Sequence, residues 1–477
     1  MTQPVPMPDQ TESTHAQLGL FDSVSIIVGI VVGVSIFRVT PMVYGNVETP
    51  WIGMGAWLLG GLLSLIGALC YAELATTYPR SGGDYVYLSR AYGSPVGFLF
   101  GWAQLAAILT GSIGAMAFTF SDYAVPLFGW DNSVGVWLAA VAVVLLTAIN
   151  LFGVICGKVT QNLLTVVKVV GLLAIVFAGF TYGSPSSFSQ TGKAGEGGFG
   201  FAMIMVLYAF GGWNDAAFVA AEVKDRQRNI PRALILGTGG ITVIYLLINA
   251  GYLMVLGFDG IRSSFTPAAD AMKIAVGDWG ATAITVLVML SALGAINGLI
   301  FTGSRVYATL GADYGLFAWL GKWNHKLDAP VWSLLAQGVV SLALIVGVGT
   351  SAGQGIIDKI MITVGFGTLP WGQYFGGFNT LVAATAPVFW LFFLLTGLSL
   401  IILRFRDPNI ERSFTVPLYP ITPIVFCLTC GYMLYSAINY AENLTLLGFV
   451  PLALGIPLYF LSSRRTPSET ATGESSE

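Results

Sequence analysis

Long apolar runs dominate this chain and decide what it can fold into. A helix crosses the hydrocarbon core of a bilayer in about 20 apolar residues, and twelve stretches reach roughly that length. Only 9% of the residues are charged and the mean hydropathy is +0.77, which excludes a soluble domain. The sequence therefore predicts an all-α integral membrane protein with twelve transmembrane spans. The spans are residues 22–44, 51–78, 91–121, 134–153, 160–182, 200–222, 233–256, 280–310, 331–349, 380–404, 416–438 and 443–462.

The positions of lysine and arginine predict the orientation of the spans. Cytoplasmic loops carry an excess of these residues, and an even number of spans places both termini on one side. One side receives four cations, which are Lys193, Arg262, Lys273 and Lys359. The other side receives fifteen and is therefore predicted to be cytoplasmic, as are both termini. The fifteen are Arg80, Arg90, Lys158, Lys224, Arg226, Arg228, Arg232, Arg305, Lys322, Lys326, Arg404, Arg406, Arg412, Arg464 and Arg465.

Polar tails flank the membrane part. Residues 1–20 have neither the basic start nor the cleavage pattern of a signal peptide, and we expect them and residues 464–477 to be disordered cytoplasmic tails. A net charge of −3 gives no reason to expect a nucleic-acid partner. The four cysteines lie in or at the ends of spans, far in sequence from His15 and His325. We therefore predict no structural disulfide, no metal site and no cofactor.

Two of the spans are interrupted by glycine at matching positions. The first contains GIVVGVSIF, residues 29–37, and the sixth contains FGGWND, residues 210–215. A single pair such as Gly29 and Gly33 is typical of close helix packing. These two spans, however, each begin a group of five, and interruptions at corresponding places of two halves indicate the binding site of an inverted-repeat transporter.

A helix that unwinds inside the membrane exposes backbone amides on one half and carbonyls on the other. Each set is backed by a dipole equivalent to roughly half an elementary charge. Amides attract a carboxylate and carbonyls attract an ammonium group. Two such breaks side by side are thus suited to a zwitterion such as an amino acid.

Five segments resemble a known family. They are GIVVGVSIFRVTP, YAELATTYPRSGGDYVYLSRAYG, LYAFGGWNDAAFVAAEVKDRQRNIPRA, AINGLIFTGSRVYATLGADYGLF and RDPNIERSFTVPLYPITPIVF. They are similar to the amino acid, polyamine and organocation superfamily, in particular to its L-type amino acid transporter branch, over roughly residues 18–462. The resemblance implies a LeuT-like fold in which a five-plus-five inverted repeat, residues 21–185 and 186–406, precedes two further helices in residues 407–463.

The same resemblance implies a substrate site at the two breaks. The family's GSGIF motif matches Gly33 to Phe37, where Val34 and Ser35 replace a serine and a glycine, which leaves the pocket's size open. In relatives these amides hold the substrate carboxylate, and an aromatic residue of helix six closes over the substrate. The implied substrate-binding residues are Val31, Gly33, Val34, Ser35, Ile36, Tyr208 and Gly211, with Tyr208 as a gate. From their position in the second break, we add Asn214 to the substrate-binding residues and Trp213 to the gating residues.

Lys168 matches the lysine that occupies the place of a sodium ion in sodium-coupled relatives. It lies too deep in its span to reach the surface easily. A permanently charged lysine suits exchange, whereas one that loses its proton can carry a coupling proton. Ser291 matches a hydroxyl near that site, although a lone serine can also bond within its own helical turn.

Other polar residues keep two interpretations each. Arg38 follows the first break and can serve the outer vestibule, the substrate carboxylate or a pair with Glu48. Asp215 is either a carboxylate at a helix start or a gating or proton-coupling group. Trp213 and Asn214 are expected to hold the unwound turn open. Glu73 and Glu222 are expected to latch cytoplasmic loops.

Two loops depart from the family. Residues 351–378 form an insertion between spans nine and ten that we predict to be a cap with a helix over residues 356–364. In animal members of the branch, a cysteine between helices three and four links to a glycoprotein subunit. The corresponding loop, SDYAVPLFGWDNSVG, has none, so that no disulfide-linked heavy chain is expected.

The resemblance implies a plasma-membrane amino acid transporter that works by alternating access. Sodium-independent exchange is the leading interpretation, proton symport the second, and transport of polyamines or amines the third. An integral membrane enzyme would need a nucleophile, a base or metal ligands that converge at one depth, and no such motif is present in the sequence.

Overall fold

The computed structural model describes residues 17–264, 266–324, 326–371 and 377–462. Over these ranges the regular structure is helical, apart from two isolated β-bridges. The α-helices are α1 (Leu20–Val31), α2 (Ser35–Arg38), α3 (Thr40–Gly45), α4 (Pro50–Thr77), α5 (Asp84–Tyr92), α6 (Ser94–Ala103), α7 (Leu109–Phe128), α8 (Gly135–Leu151), α9 (Val154–Tyr182), α10 (Gly198–Ala209), α11 (Arg226–Ser263), α12 (Pro267–Val276), α13 (Asp278–Asp313), α14 (Val331–Gly349), α15 (Ser351–Thr363), α16 (Gly377–Arg406), α17 (Ile421–Ala441) and α18 (Thr445–Leu461).

The predicted membrane class is confirmed. Among the described residues, 11 helical segments are long and apolar enough to cross a bilayer. The longest, Ile421–Leu461, is interrupted by a short 3-10 turn at Glu442–Leu444. The predicted tails, residues 1–20 and 464–477, lie outside the described ranges except for residues 17–20.

The two glycine-interrupted segments lie in the interior of the helical assembly. In Leu20–Arg38, 78% of the most apolar stretch is buried, and in Gly198–Glu222 the share is 72%. The corresponding share in Ile421–Leu461 is 17%. The two broken segments are therefore among the best shielded from lipid, together with Asp278–Asp313 and Ser94–Phe128. Such shielding is required, because non-helical backbone survives at membrane depth only within protein or along a cavity.

Helix α9 shows how polar groups are directed inward. Its exposed side is aliphatic and aromatic, with Ile155, Val159, Leu163, Val170 and Phe177 among the exposed residues. Its buried side carries polar groups at the same helical spacing, and these are Gln161, Thr165 and Lys168. This pattern reverses that of a soluble amphipathic helix, because the surroundings are lipid and the interior holds the site.

The insertion between α14 and α16 contains the predicted helix, but the helix begins at Ser351 instead of Ile356. Thr350 explains the earlier start, since its hydroxyl accepts a hydrogen bond from the Gly353 amide at 3.0 Å and caps the helix. Asp358 then accepts hydrogen bonds from the Leu369 amide and the Trp371 indole, both at 3.0 Å. The residues after the helix are thus folded back on it, as a cap requires.

Close helix packing at glycine gives a first prediction. A Cβ on Gly179 of α9 would lie 2.5 Å from the Gly251 Cα of α11, so we expect Gly179→Ala to lower the stability by about 1–3 kcal/mol through overpacking. Thermal unfolding of the detergent-solubilised protein measures this. Gly239→Ala on α11 is the control, because its Cβ would meet nothing within 4 Å. Equal unfolding midpoints for the two variants would contradict the packing argument.

Candidate functional site

The first helix break lies at Val32–Val34. Helix α1 ends at Val31, and the Gly33 amide turns back to the Val31 carbonyl at 2.7 Å. Val34 has ordinary right-handed dihedral angles, φ −88° and ψ −14°, so that the substitution of valine for a smaller residue is compatible with this backbone. Among the described residues, the amides of Val34, Ser35 and Ile36 have no hydrogen-bond acceptor. Three N–H groups in succession are therefore available to a ligand.

The second break lies at Phe210–Gly212. Helix α10 ends at Ala209, and Gly212 takes a left-handed φ of +106° before a 3-10 helix runs over Trp213–Glu222. A Cβ on Gly212 would also lie 2.6 Å from Ile30 Cγ2. Glycine is required here both for the dihedral angle and for the close approach of the two breaks. The sequence pointed to Gly211, whereas Gly212 is the residue of the pair that must be glycine.

Side chains of α9 and α13 donate hydrogen bonds to carbonyls at the end of α1 and in the break. The Gly29 carbonyl accepts a hydrogen bond from Lys168 Nζ of α9 at 2.7 Å, and Lys168 is fully buried. The Ser291 hydroxyl of α13 lies 3.0 Å from the Val32 carbonyl and 3.1 Å from that of Gly33. Ser291 thus bonds across helices, and the alternative of bonding within its own turn is wrong.

Tyr245 of α11 joins the two breaks. Its hydroxyl lies 2.9 Å from the Val31 carbonyl and 3.1 Å from the Ala209 carbonyl, and it has one proton to donate. The sequence did not point to Tyr245. The signal was a tyrosine in mid-span, because a buried phenol usually has a hydrogen-bond partner.

Arg38 and Tyr208 lie on the side of the breaks that α2 and α16 cover. Arg38 pairs with Asp122 of α7 at 3.1 Å, and its guanidinium lies 4.8 Å from the Phe378 ring centroid. The alternative partner Glu48 is therefore wrong. The Tyr208 ring lies edge-on to Phe378 at 6.5 Å between centroids. The three residues bring α2, α10 and α16 together.

Trp213, Asn214 and Asp215 follow the second break and are all buried. The Trp213 ring packs 5.1 Å from Tyr71 and 5.4 Å from Phe393, between centroids, away from the Tyr208 side. Asn214 was expected to hold the unwound turn open, but its amide donates to the side chain of the next residue, Asp215, at 3.2 Å. Its side-chain oxygen is buried without a donor among the described residues.

The glutamates expected to latch loops have arginine partners. Glu73 accepts hydrogen bonds from Arg404 and from the Val416 amide, and it also pairs with Arg412 at 3.4 Å. It therefore holds the segment after α16, as predicted. Glu222 instead accepts from Arg305 at 2.8 and 3.2 Å. The partner of its side chain is therefore helix α13, whereas its backbone carbonyl accepts a hydrogen bond from the Leu18 amide before α1.

Comparison with known proteins identifies the family of the chain. The family described as "Amino acid permease" matches residues 18–460. The chain is 28% identical to the b(0,+)-type amino acid transporter 1 of Mus musculus, over 90% of this chain and 84% of the mouse protein. It is 27% identical to the serine/threonine exchanger SteT of Bacillus subtilis, over 95% and 98%. It is 28% identical to the large neutral amino acids transporter small subunit 2 of Homo sapiens, over 93% and 80%.

The lysine contact gives a second prediction. Lys168→Met removes the donor to the Gly29 carbonyl and leaves that carbonyl unpaired in the interior, which costs about 1–3 kcal/mol. We expect a lower thermal midpoint and a loss of activity of roughly tenfold or more, since the end of α1 loses its position. Val170→Met is the control, because Val170 lies on the exposed face of the same helix. Unchanged activity in Lys168→Met would reduce the residue to a packing role.

The two kinds of ion pair give a third prediction. Glu73 is 1% exposed and serves two arginines, so Glu73→Gln should destabilise the protein by about 3–5 kcal/mol, because buried charges lose their partner. Asp122 is 41% exposed and Arg38 30%, and Asp122→Asn should cost less than about 1 kcal/mol. Thermal unfolding at low and high salt measures both. A larger loss in Asp122→Asn than in Glu73→Gln would refute this ranking.

Proposed function

This chain belongs to the amino acid permease family, and from that premise we propose that it is a sodium-independent exchanger of amino acids that works by alternating access. The similar proteins include a b(0,+)-type amino acid transporter, a large neutral amino acids transporter small subunit and a bacterial serine/threonine exchanger. The proposal assigns the substrate to the paired helix breaks.

The observation that carries the proposal is the row of amides at Val34, Ser35 and Ile36. They lack acceptors among the described residues, and they sit where α2 begins, so the partial positive charge of the peptide dipoles adds to the three donors. A carboxylate offers about four lone-pair sites for such donors. We assign the substrate carboxylate to these amides and to that of Gly33.

The ammonium group is assigned to the opposite side of the site. The Val31 carbonyl already accepts from the Gly33 amide and from Tyr245, so that an ammonium group would take the place of the tyrosine hydroxyl. The side-chain oxygen of Asn214 is buried without a donor in the described structure and is a second acceptor. The carbonyl of Gly211 belongs to the same turn and completes this proposed set.

Lys168 supports exchange without sodium. Its nitrogen already bonds to the end of α1, and within the described ranges no carboxylate lies within ion-pair distance of it. A tethered ammonium group in this position does the work of a bound cation, and it cannot leave during the transport cycle. Transport coupled to a sodium gradient would require the ion to bind and dissociate.

Alternating access needs gates on both sides. We assign the outer gate to Tyr208, with Arg38 above it. Trp213 lies between α4 and α16. We assign it to the hinge about which the 3-10 helix rotates. The moving bundle comprises the first, second, sixth and seventh spans, and the third, fourth, eighth and ninth form the scaffold.

The finer topology is also part of the proposal. A helix of 41 residues would be about 60 Å long, twice the hydrocarbon thickness, so that Ile421–Leu461 represents two crossings and the total is twelve. Residues 21–185 and 186–406 form the two inverted repeats. Both termini lie in the cytoplasm and the protein resides in the plasma membrane. With no cysteine in residues 121–135, we expect no disulfide-linked partner at that loop.

Uptake by proteoliposomes tests the proposal. Vesicles preloaded with unlabelled amino acids should take up labelled amino acids at least about tenfold faster than empty vesicles, because the empty carrier reorients slowly. Replacement of Na⁺ by choline should leave the rate unchanged. Ser35→Gly keeps the amides and should remain active, whereas Ser35→Pro removes one of them and should not. Uptake that collapses without Na⁺, or equal uptake by empty and loaded vesicles, would refute sodium-independent exchange.

A further inference from the structure

Two buried carboxyl groups lie on segments that contact each other beyond the second break. Asp84 is the first residue of α5, in the segment between the spans Pro50–Thr77 and Ser94–Phe128. Asp215 lies in the 3-10 helix that follows the break. Asp84 is 2% exposed and Asp215 is 4% exposed, and the two carboxyl groups interact electrostatically.

Asp84 is held by hydroxyl groups on one of its oxygens only. Oδ1 accepts hydrogen bonds from Tyr71 of α4 and from Thr396 of α16, the latter at 2.6 Å. Oδ2 is buried and has no partner in the described structure. The hydroxyl of Tyr87 is also buried without a partner, and it interacts electrostatically with Asp84. The site therefore contains unpaired polar atoms in addition to its charges.

Asp215 has equally few partners. Its Oδ1 accepts a hydrogen bond from the Asn214 amide at 3.2 Å. The titratable groups that interact with it electrostatically are Asp84 and Tyr307 of α13. Across the described ranges no lysine or arginine lies within 4 Å of either carboxyl group. The charged and titratable groups that face the pair from the surrounding helices are thus three phenols, Tyr71, Tyr87 and Tyr307.

Burial and mutual repulsion determine the protonation state of such a pair of carboxyl groups. Two neighbouring carboxylates in a buried site without a cation cannot both be ionised at low cost. Burial raises the pKa of Asp84 to about 6, although hydrogen bonds from Thr396 and Tyr71 act in the opposite direction. A proton on the pair removes one negative charge and supplies the donor that the unpaired oxygens lack.

We infer that Asp84 and Asp215 form a proton-binding site that holds one proton while the cytoplasmic side of the transporter is closed and releases it when that side opens. The proton is the ligand of the site. A metal cation fits less well, because the groups around Asp84 are hydroxyl donors and no cluster of three or more histidine, cysteine or acidic side chains occurs among the described residues.

The contact that closes this side adjoins the pair. The Gly82 amide donates to the Phe218 carbonyl at 2.9 Å, and a Cβ on Gly83 would lie 2.7 Å from the Phe218 ring. The start of α5 is thus fastened to the same 3-10 helix that carries Asp215. This step rests on the proposed alternating access, in which opening to the cytoplasm moves the 3-10 helix away from α5 and admits water to both carboxyl groups.

The sign of the pH effect follows from this arrangement. In the closed state the pKa of Asp84 is raised, and in the open, hydrated state it falls toward the ordinary aspartate value near 4. The closed state therefore gains stability as pH falls, and it loses that stability as pH rises through 6. Each unit of pKa difference changes the equilibrium about tenfold.

The test is exchange of labelled amino acid by the full chain in proteoliposomes with equal pH inside and outside. We expect the wild-type rate to rise by about tenfold between pH 5 and pH 7.5, because opening to the cytoplasm becomes easier. Asp84→Asn and Asp215→Asn should both show a nearly flat profile. Asp259→Asn, at an exposed carboxylate, is the control and should follow the wild type.

A pH-independent wild-type rate, or the wild-type profile in both variants, overturns the inference. A Na⁺ requirement that Asp84→Asn abolishes overturns it in favour of a cation site. If the wild type exchanges nothing at any pH, the proposed function fails, but the inference is still decided by infrared spectroscopy of the purified protein. Asp84→Asn or Asp215→Asn should remove a carbonyl band of a protonated carboxylic acid at pH 5, below the raised pKa of Asp84, and the absence of that band from the wild type refutes the bound proton.

Discussion

A backbone polar group inside a bilayer must find its hydrogen-bond partner within the protein, because lipid offers none. The end of α1 shows how this chain meets that requirement. The Gly33 amide turns to Val31, and so the Gly29 carbonyl loses the partner that a continuous helix would provide. Lys168 takes that place. The carbonyls are satisfied by side chains of neighbouring helices, whereas the following amides are left for a ligand.

The polar contacts that hold the helices together differ in strength from one part of the molecule to another. Around the breaks, partners are few and each is specific, so single side chains decide the local backbone. Near the ends of α4 and α16, multiple contacts converge on one carboxylate, which is Glu73 with Arg404, Arg412 and the Val416 amide. On the Arg38 side the single pair with Asp122 is half-exposed and correspondingly weak. The contacts around Glu73 are therefore the strong ones, and the Arg38 pair is a weak one.

The sequence predicted the spans well because hydrophobic length is a one-dimensional signal. It also located both breaks, since glycine pairs and polar residues in apolar runs are visible without coordinates. Tyr245, Gly212 and Asp122 were missed, because each acquires its importance from a partner more than thirty residues away or from a dihedral angle. The start of α15 was misplaced by a cap at Thr350, although a threonine before a helix is a recognisable signal. Glu222 was assigned to a loop because sequence distance does not show that α13 lies alongside.

Tyr245 has one proton and two carbonyl oxygens within reach, one on each broken helix. Rotation about its C–O bond therefore lets the hydroxyl donate to either Val31 or Ala209. In the proposed mechanism, an ammonium group that binds the Val31 carbonyl would direct the hydroxyl to Ala209, and so would link the two broken helices without displacement of either backbone. Phenylalanine at this position would fill the same space, but it could not donate a hydrogen bond to either broken helix.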